Sequence, residues 1–347
     1  MELEEIENML PRQEHFEFVL KKITSEKKRI PVIIFCDPGV DDALMLLQML
    51  NQKKYVIAGI IPVRGNASSR ACLENTLALS EYIGRTDIKI YPGRNEKFRG
   101  FKVYGQRGLN GFSLPRPNAI KPQSVDGITF TCNFLKNNTA IIISTAGLTE
   151  PAAVLKNLLK NSPQGLHNIL GISLMGGVIN TTQEANFPIK GKRFTEANVA
   201  DNPIATKELF MITKTYNIPI FLSTLDLTHS ILVSKSDLTE LQKKKSKLSQ
   251  CAYKLISNTP KHYQRRFGKG PDQQFRQPLH DVHATSCLLH PELYQGQWVD
   301  LEINKKLTSP HITIKYENTG NVFLLSLPSL YRQRLINAIV NDYSNLN

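Results

Sequence analysis

The stretch PVIIFCDPGVDDALMLLQML, residues 31–50, constrains this chain most. An apolar run, Val32–Cys36, ends at Asp37 and a Pro-Gly turn, and a helical pattern follows at once. A short continuous apolar run is buried on both faces, the condition of a strand in a parallel sheet covered by helices. The rest of the chain repeats the rhythm. Candidate strands are Val32–Cys36, Tyr55–Ile61, Lys89–Tyr91, Ala140–Ser144, Ile169–Met175 and Ile218–Leu222. Candidate helices are Asp42–Leu50, Ser69–Ile83, Ile128–Leu135, Glu150–Leu159 and Ile204–Phe210. Alternating strands and helices predict an α/β fold, a mostly parallel open sheet flanked by helices with a Rossmann-like core. After residue 296 the pattern becomes hairpin-like (WVDLEI, HITIKY, VFLLSL), a small β addition near the C-terminus, and PSLYRQRLINAIVNDY closes as a helix. Residues 1–30 read as an N-terminal helical extension and 31–347 as one domain, with no internal repeat and no dividing linker.

Three aspartates, Asp37, Asp41 and Asp42, crowd the mouth of that first strand. One could cap the helix and lie favourably at its positive end, but three like charges exceed that task. In an open parallel sheet, ligands bind outside the carboxyl ends of the strands. A hard cation with oxygen ligands, calcium or magnesium, accounts for the cluster better than capping does. A fourth carboxylate is offered by PLHDVHATSCLLHP, residues 278–291, where His280 precedes Asp281 at the start of an apolar helical run. Read alone, that pair is also compatible with a helix cap beside a surface imidazole.

The balance of 43 Lys+Arg against 30 Asp+Glu gives a net charge of +13. It reads as a solvated basic surface. The tightest run, Lys243–Lys247, has no nucleic-acid-binding signature beside it, so nucleic acid is not the expected partner. The five cysteines (Cys36, Cys72, Cys132, Cys251 and Cys287) are scattered without a CxxC pair and read as reduced core thiols. The N-terminus is acidic where a signal peptide would be basic, and no apolar run approaches the ~18 residues of a membrane span. The expectation is a cytoplasmic protein with no membrane contact.

The segments CDPGVDDAL (36–44), IPVRGN (61–66), STAGLTEPA (144–152), LMGG (174–177), TEANVADNP (195–203), LDLTH (225–229) and PLHDVHA (278–284) occur in that order. Together the series resembles the inosine-uridine preferring nucleoside hydrolase family over roughly residues 31–345. The resemblance implies hydrolysis of the N-glycosidic bond of ribonucleosides to free base and ribose, with calcium at the carboxyl end of the sheet, in a homodimer or tetramer. It implies metal ligation by Asp37, Asp42, the Thr145 carbonyl and Asp281. Asp37 matches the residue that takes the proton of the attacking, metal-bound water, and His280 a histidine that assists the departing base. Asp41, Asn66, Met175, Glu196 and Asn198 match substrate-side residues. A carboxylate-rich pocket suits this chemistry, because cleaving a ribosyl bond builds positive charge at the anomeric carbon.

Three places depart from the family pattern. Phe35 stands where an acidic residue usually supports the metal. The loop before TEAN is longer, and Asn186, then Asn180, is the candidate for the sugar's far hydroxyl. Tyr104 occupies the base-facing loop where many members carry histidine, and could stack on a base. Tyr263 lies in KHYQRRFGKGPDQQFRQ (261–277), near where a base would sit. The basic loops raise the further option of a phosphorylated nucleoside. His229 and His283 read as supporting histidines. The alternative function is a non-catalytic nucleoside- or ribose-binding protein that keeps the metal site. A dehalogenase-like phosphatase needs a second aspartate two residues after the first, and that position is Gly39.

Overall fold

The computed structural model describes residues 14–24, 29–94, 105, 107–179, 186–189, 192–257, 276–303, 312–317 and 319–344. In chain order the strands are β1 (Glu14–His15), β2 (Ile30–Cys36), β3 (Tyr55–Pro62), β4 (Ala140–Ser144), β5 (Ile169–Met175), β6 (Phe187–Ile189), β7 (Lys192–Thr195), β8 (Ile220–Ser223), β9 (Leu232–Ser234), β10 (Arg276–Pro278), β11 (Gln295–Ile303), β12 (Ile312–Glu317) and β13 (Val322–Ser326). The helices are α1 (Phe16–Thr24), α2 (Val40–Asn51), α3 (Ser69–Tyr82), α4 (Gly127–Leu135), α5 (Thr149–Asn161), α6 (Ala197–Asp201), α7 (Pro203–Thr215), α8 (Leu225–Thr228), α9 (Lys235–Lys243), α10 (Lys247–Ser257), α11 (Val282–Leu289) and α12 (Arg332–Asp342).

Nine strands form the main sheet in the order β1-β11-β13-β8-β5-β4-β2-β3, with β12 added on β11. From β3 to β13 every pairing is parallel, and β11 turns the edge antiparallel. The C-terminal strands predicted as a small hairpin therefore extend the main sheet. Lys89–Tyr91 contributes only a single bridge, Ile60 to Ile90.

Side chains alternate across the pleat. Val32, Ile34 and Cys36 enter one apolar layer, while Ile33 and Phe35 enter the other. β2 and β4 are buried along almost their whole length, as continuous apolar strands between two helical layers must be. On one side α2 packs against α11 and α10; on the other α5 packs against α4 and α7. Every residue of α2 from Val40 to Leu50 is buried, so this helix is surrounded rather than amphipathic. The N-terminal segment is anchored by Phe16, whose ring lies 4.9 Å from that of Phe221 and 5.6 Å from that of Phe323.

The chain leaves β2 for β3 on one side, then returns to place β4 on the other. That reversal opens a crevice at the carboxyl ends of β2 and β4, where ligands bind in such sheets. Asp37 follows β2 and Thr145 follows β4, one on each side of it. Among the described residues, no helix is long and apolar enough to cross a membrane. All five cysteines are buried and free.

Candidate active site and metal centre

Asp37, Asp41, Asp42 and Asp281 are all at least 95% buried. Ligand atoms of Asp41, Asp42 and Asp281 lie within 4.8 Å of one another. Asp42 sits in the first turn of α2 and also organises the turn before it. Its Oδ1 accepts from the Asp37 amide (3.1 Å) and the Thr145 hydroxyl (2.8 Å). Its Oδ2 accepts from the Gly39 amide (3.2 Å) and Asn66 Nδ2 (3.0 Å). The helix-cap role is thus filled by Asp42, and the other two aspartates of the turn have no need of it.

Asp37 is held differently. Its Oδ2 accepts from the Asn66 amide at 2.5 Å, whereas its buried Oδ1 has no hydrogen-bond partner among the described residues. Gly65 makes this seat possible, since a Cβ there would stand 1.8 Å from Asp37 Oδ2. Asp281 precedes α11 but makes no side-chain cap bond, and His280 beside it is buried. The sequence alternative of a capping aspartate with a surface imidazole does not describe this pair.

Electrostatics give the cluster its meaning. Burial first, then the charge of Asp42, push the Asp37 carboxyl well above the usual carboxylate range. Asp281 is pushed well up by burial and by Asp41, Asp42 and Asp37. Burial also raises Asp42, opposed by its hydrogen-bond donors. Four buried carboxylates without a neutralising cation are unfavourable, and an unpartnered buried oxygen adds to that cost. An all-oxygen donor set of this kind fits a hard divalent cation, with the aspartates and the Thr145 carbonyl as available ligands.

Of the residues expected on the sugar side, Met175, Glu196 and Asn198 form a second hydrogen-bonded group. Asn198 Nδ2 donates to the Thr145 carbonyl (2.9 Å) and the Met175 carbonyl (3.1 Å), and lies 3.6 Å from Met175 Sδ. Glu196 is buried at the start of α6 and accepts from the amides of Gly177, Asn198 and Val199, at 2.8, 2.8 and 3.0 Å. Burial still raises its carboxyl against those three donors. Asn186 accepts from the Ala197 amide at 3.1 Å, which puts it beside the same helix turn. Tyr104, Tyr263 and Asn180 lie outside the described residues.

His280 Nδ1 lies 2.8 Å from the Thr228 hydroxyl, and its ring meets His229 edge-on at 5.1 Å. His283 is a core residue, 3.0 Å from the Tyr294 hydroxyl, and burial lowers its pKa to about 4. Phe35 lies wholly within the apolar layer, while its carbonyl accepts the Thr145 amide at 3.0 Å.

Sequence reasoning passed over Thr228 and the pair Arg64–Asp201. Thr228 stands in LDLTH, but a threonine carries no signal until the fold sets it against His280. Arg64 and Asp201 lie in separate quoted segments, and only the fold brings them together.

Residues 32–332 match the profile of the inosine-uridine preferring nucleoside hydrolase family. The chain is 29% identical over 303 residues to the pyrimidine-specific ribonucleoside hydrolase RihA of Shewanella woodyi, covering 84% of this chain and 90% of that protein. It is 28% identical over 309 residues to RihA of Salmonella enteritidis, covering 84% and 91%. Among solved structures, a purine-preferring ribonucleoside hydrolase from Gardnerella vaginalis superposes with a TM-score of 0.75 at 20% identity, covering 91% of this chain and 98% of that one. The plant nucleoside hydrolase PpNRh1 gives 0.77 at 19% identity, covering 91% and 99%. These two share its fold.

Proposed function

The chain belongs to the inosine-uridine preferring nucleoside hydrolase family, an N-glycosyl hydrolase by that membership, and from this premise we propose that it hydrolyses ribonucleosides by a calcium-dependent mechanism centred on Asp37. The observation that carries the mechanism is the asymmetry of Asp37: Oδ2 is anchored by the Asn66 amide, and Oδ1 is buried without a partner among the described residues.

Asp37, Asp42, Asp281 and the Thr145 carbonyl would hold the cation. When bound, calcium supplies positive charge that lowers the pKa of a water and orients the sugar's cis-diol. Asp37 accepts a proton from the attacking water as its oxygen bonds to the anomeric carbon. The C–N bond breaks at that carbon, and developing positive charge there is stabilised by the surrounding carboxylates. His280 Nδ1 lies 2.8 Å from the Thr228 hydroxyl; the tautomer in which Nδ1 accepts that hydroxyl proton carries its own proton on Nε2 and is the one able to donate to the leaving base. Asp41, Asn66, Met175, Asn186, Glu196 and Asn198 line the ribose side; Tyr104 and Tyr263 are the sequence candidates for contact with the base and lie outside the described residues. Polar groups paired to ribose hydroxyls make recognition steep, because an analogue lacking a hydroxyl leaves them unpaired.

Residues 31–347 form the catalytic domain and 1–30 its extension. The enzyme is a cytoplasmic homo-oligomer, dimer or tetramer; its five buried free thiols suit a reducing compartment.

The test is release of base and ribose from uridine, cytidine, inosine and adenosine, with calcium and with chelator, in the wild type and in Asp37→Ala. Calcium-dependent release that disappears in the variant is expected. No release from any nucleoside while calcium and ribose still bind would instead support the non-catalytic binding alternative.

A further inference from the structure

Arg64 and Asp201 form a bidentate ion pair, Nη1 to Oδ1 at 2.6 Å and Nη2 to Oδ2 at 3.1 Å. The two side chains are only 9% and 17% exposed. Arg64 leaves β3 two residues before Asn66, whose amide and side chain hold Asp37 and Asp42. Asp201 ends α6, three residues after Asn198, whose side chain holds the carbonyls of Thr145 and Met175. The Asp201 carboxylate also rests on the turn after β4, where a Cβ on Gly147 would come within 2.5 Å of Oδ2. One ion pair therefore joins the segment that seats the proton acceptor to the segment that carries the sugar-side residues.

We propose that Arg64 and Asp201 are positioning residues for hydrolysis, a clasp that sets the distance between Asp37 and the bound ribose. Neither touches the reacting atoms. They act through Asn66 on one side and Asn198 on the other. A planar guanidinium bonded at both nitrogens fixes orientation as well as distance, which an ammonium cannot do. Misplacement by about 1 Å between reacting groups costs on the order of a hundredfold in rate, so a clasp of this rigidity acts on kcat more than on KM. The proposal rests on the hydrolase mechanism given above.

Two variants separate positioning from folding. Breaking a buried pair leaves one uncompensated charge and destabilises, whereas replacing both partners by neutral groups of similar shape restores stability. In the double variant Arg64→Met/Asp201→Asn, thermal stability is expected to return to within a few degrees of wild type while kcat stays at least about tenfold low. Arg64→Lys keeps the charge and loses the fork; its kcat is expected to fall about tenfold, with KM within about twofold. Hydrogen exchange gives a readout independent of turnover. Peptides covering residues 62–67 and 196–202 should both exchange faster in each variant. Wild-type kcat in either variant, or unchanged exchange in both peptides, would overturn the clasp. A wild-type enzyme that releases no base defeats the hydrolase mechanism instead, and the exchange result then still decides whether the pair couples the two segments.

Discussion

Asn198 Nδ2 donates to the Thr145 carbonyl oxygen at 2.9 Å, tying the first turn of α6 to the residue that follows β4. The same nitrogen reaches the Met175 carbonyl at 3.1 Å, so one amide orients two strand ends. Groups that orient a metal ligand typically contribute 10- to 100-fold in affinity. With the Thr145 carbonyl proposed as a calcium ligand, Asn198→Leu should weaken calcium binding by about tenfold or more in a calorimetric titration. Unchanged affinity would show that the Thr145 carbonyl is placed by the backbone alone.

Asp37→Asn keeps the shape of the side chain and removes its capacity to take a proton. Base release should fall by about 10²- to 10⁴-fold, the usual share of a general base. The fold should not suffer. In chelator the variant loses one like charge from a buried cluster that includes Asp42 and Asp41, so its melting temperature should equal or exceed that of the wild type. A variant that retains wild-type turnover would remove Asp37 from the chemistry.

The carboxylate cluster also dictates how calcium and pH act together. Burial raises the pKa values of Asp37, Asp42 and Asp281, and neighbouring carboxylates add to the rise at Asp37 and Asp281. A raised folded pKa gives stability that is complete below the unfolded value, about 4, and is lost as pH rises through the folded value. The chelated protein should thus lose stability as pH rises from about 4 towards neutral. On the proposed mechanism, calcium bound at the cluster favours the ionised carboxylates and cancels that loss. The gap in melting temperature between calcium-loaded and chelated protein should widen from about pH 5 to about pH 8. A gap independent of pH would mean that the cluster does not bind the ion as carboxylates.

Much of this was legible in the chain because strand and turn chemistry are local. The run Val32–Cys36 and the DPG turn predict β2 and the entry to α2, and the structure has both. The aspartates pointed to an acidic cluster at the strand end, and the structure buries Asp37, Asp41 and Asp42 together there. What stayed hidden depends on long-range register. β11 joins the parallel sheet edge-on through β13, a pairing that period-2 alternation cannot reveal. Asp41 rather than Asp37 groups with Asp42 and Asp281 within 4.8 Å, a matter of side-chain direction. Arg64 and Asp201 are 137 residues apart, and neither has a local pattern that names its partner.

His283 tests the core beneath the site. It is buried, bonded to Tyr294, and its pKa is lowered to about 4 by desolvation. A lowered histidine pKa means that the unfolded chain binds the proton first, so this contribution is complete above about 6.5 and is lost as pH falls towards about 4. The difference amounts to about 3 kcal/mol. In His283→Gln, the decline in stability between about pH 6.5 and about pH 4 should be shallower than in the wild type, measured by urea unfolding at each pH. A decline of equal steepness would place the acid sensitivity elsewhere.

Gly65 decides whether Asp37 can be seated at all. A Cβ at this position would stand 1.8 Å from Asp37 Oδ2 and 2.5 Å from its Cγ, far inside contact distance. The carboxylate cannot retreat without giving up the 2.5 Å bond from the Asn66 amide. Gly65→Ala should therefore displace Asp37, the proposed proton acceptor. Turnover is expected to fall about a hundredfold or more, since a displacement of about 1 Å at the reacting atoms has that effect. The two cores away from this turn are untouched, so the far-ultraviolet circular dichroism should match the wild type. Near-normal turnover in a folded Gly65→Ala protein would show that the loop from Arg64 to Asn66 can shift without moving the carboxylate, and would count against a fixed Asp37.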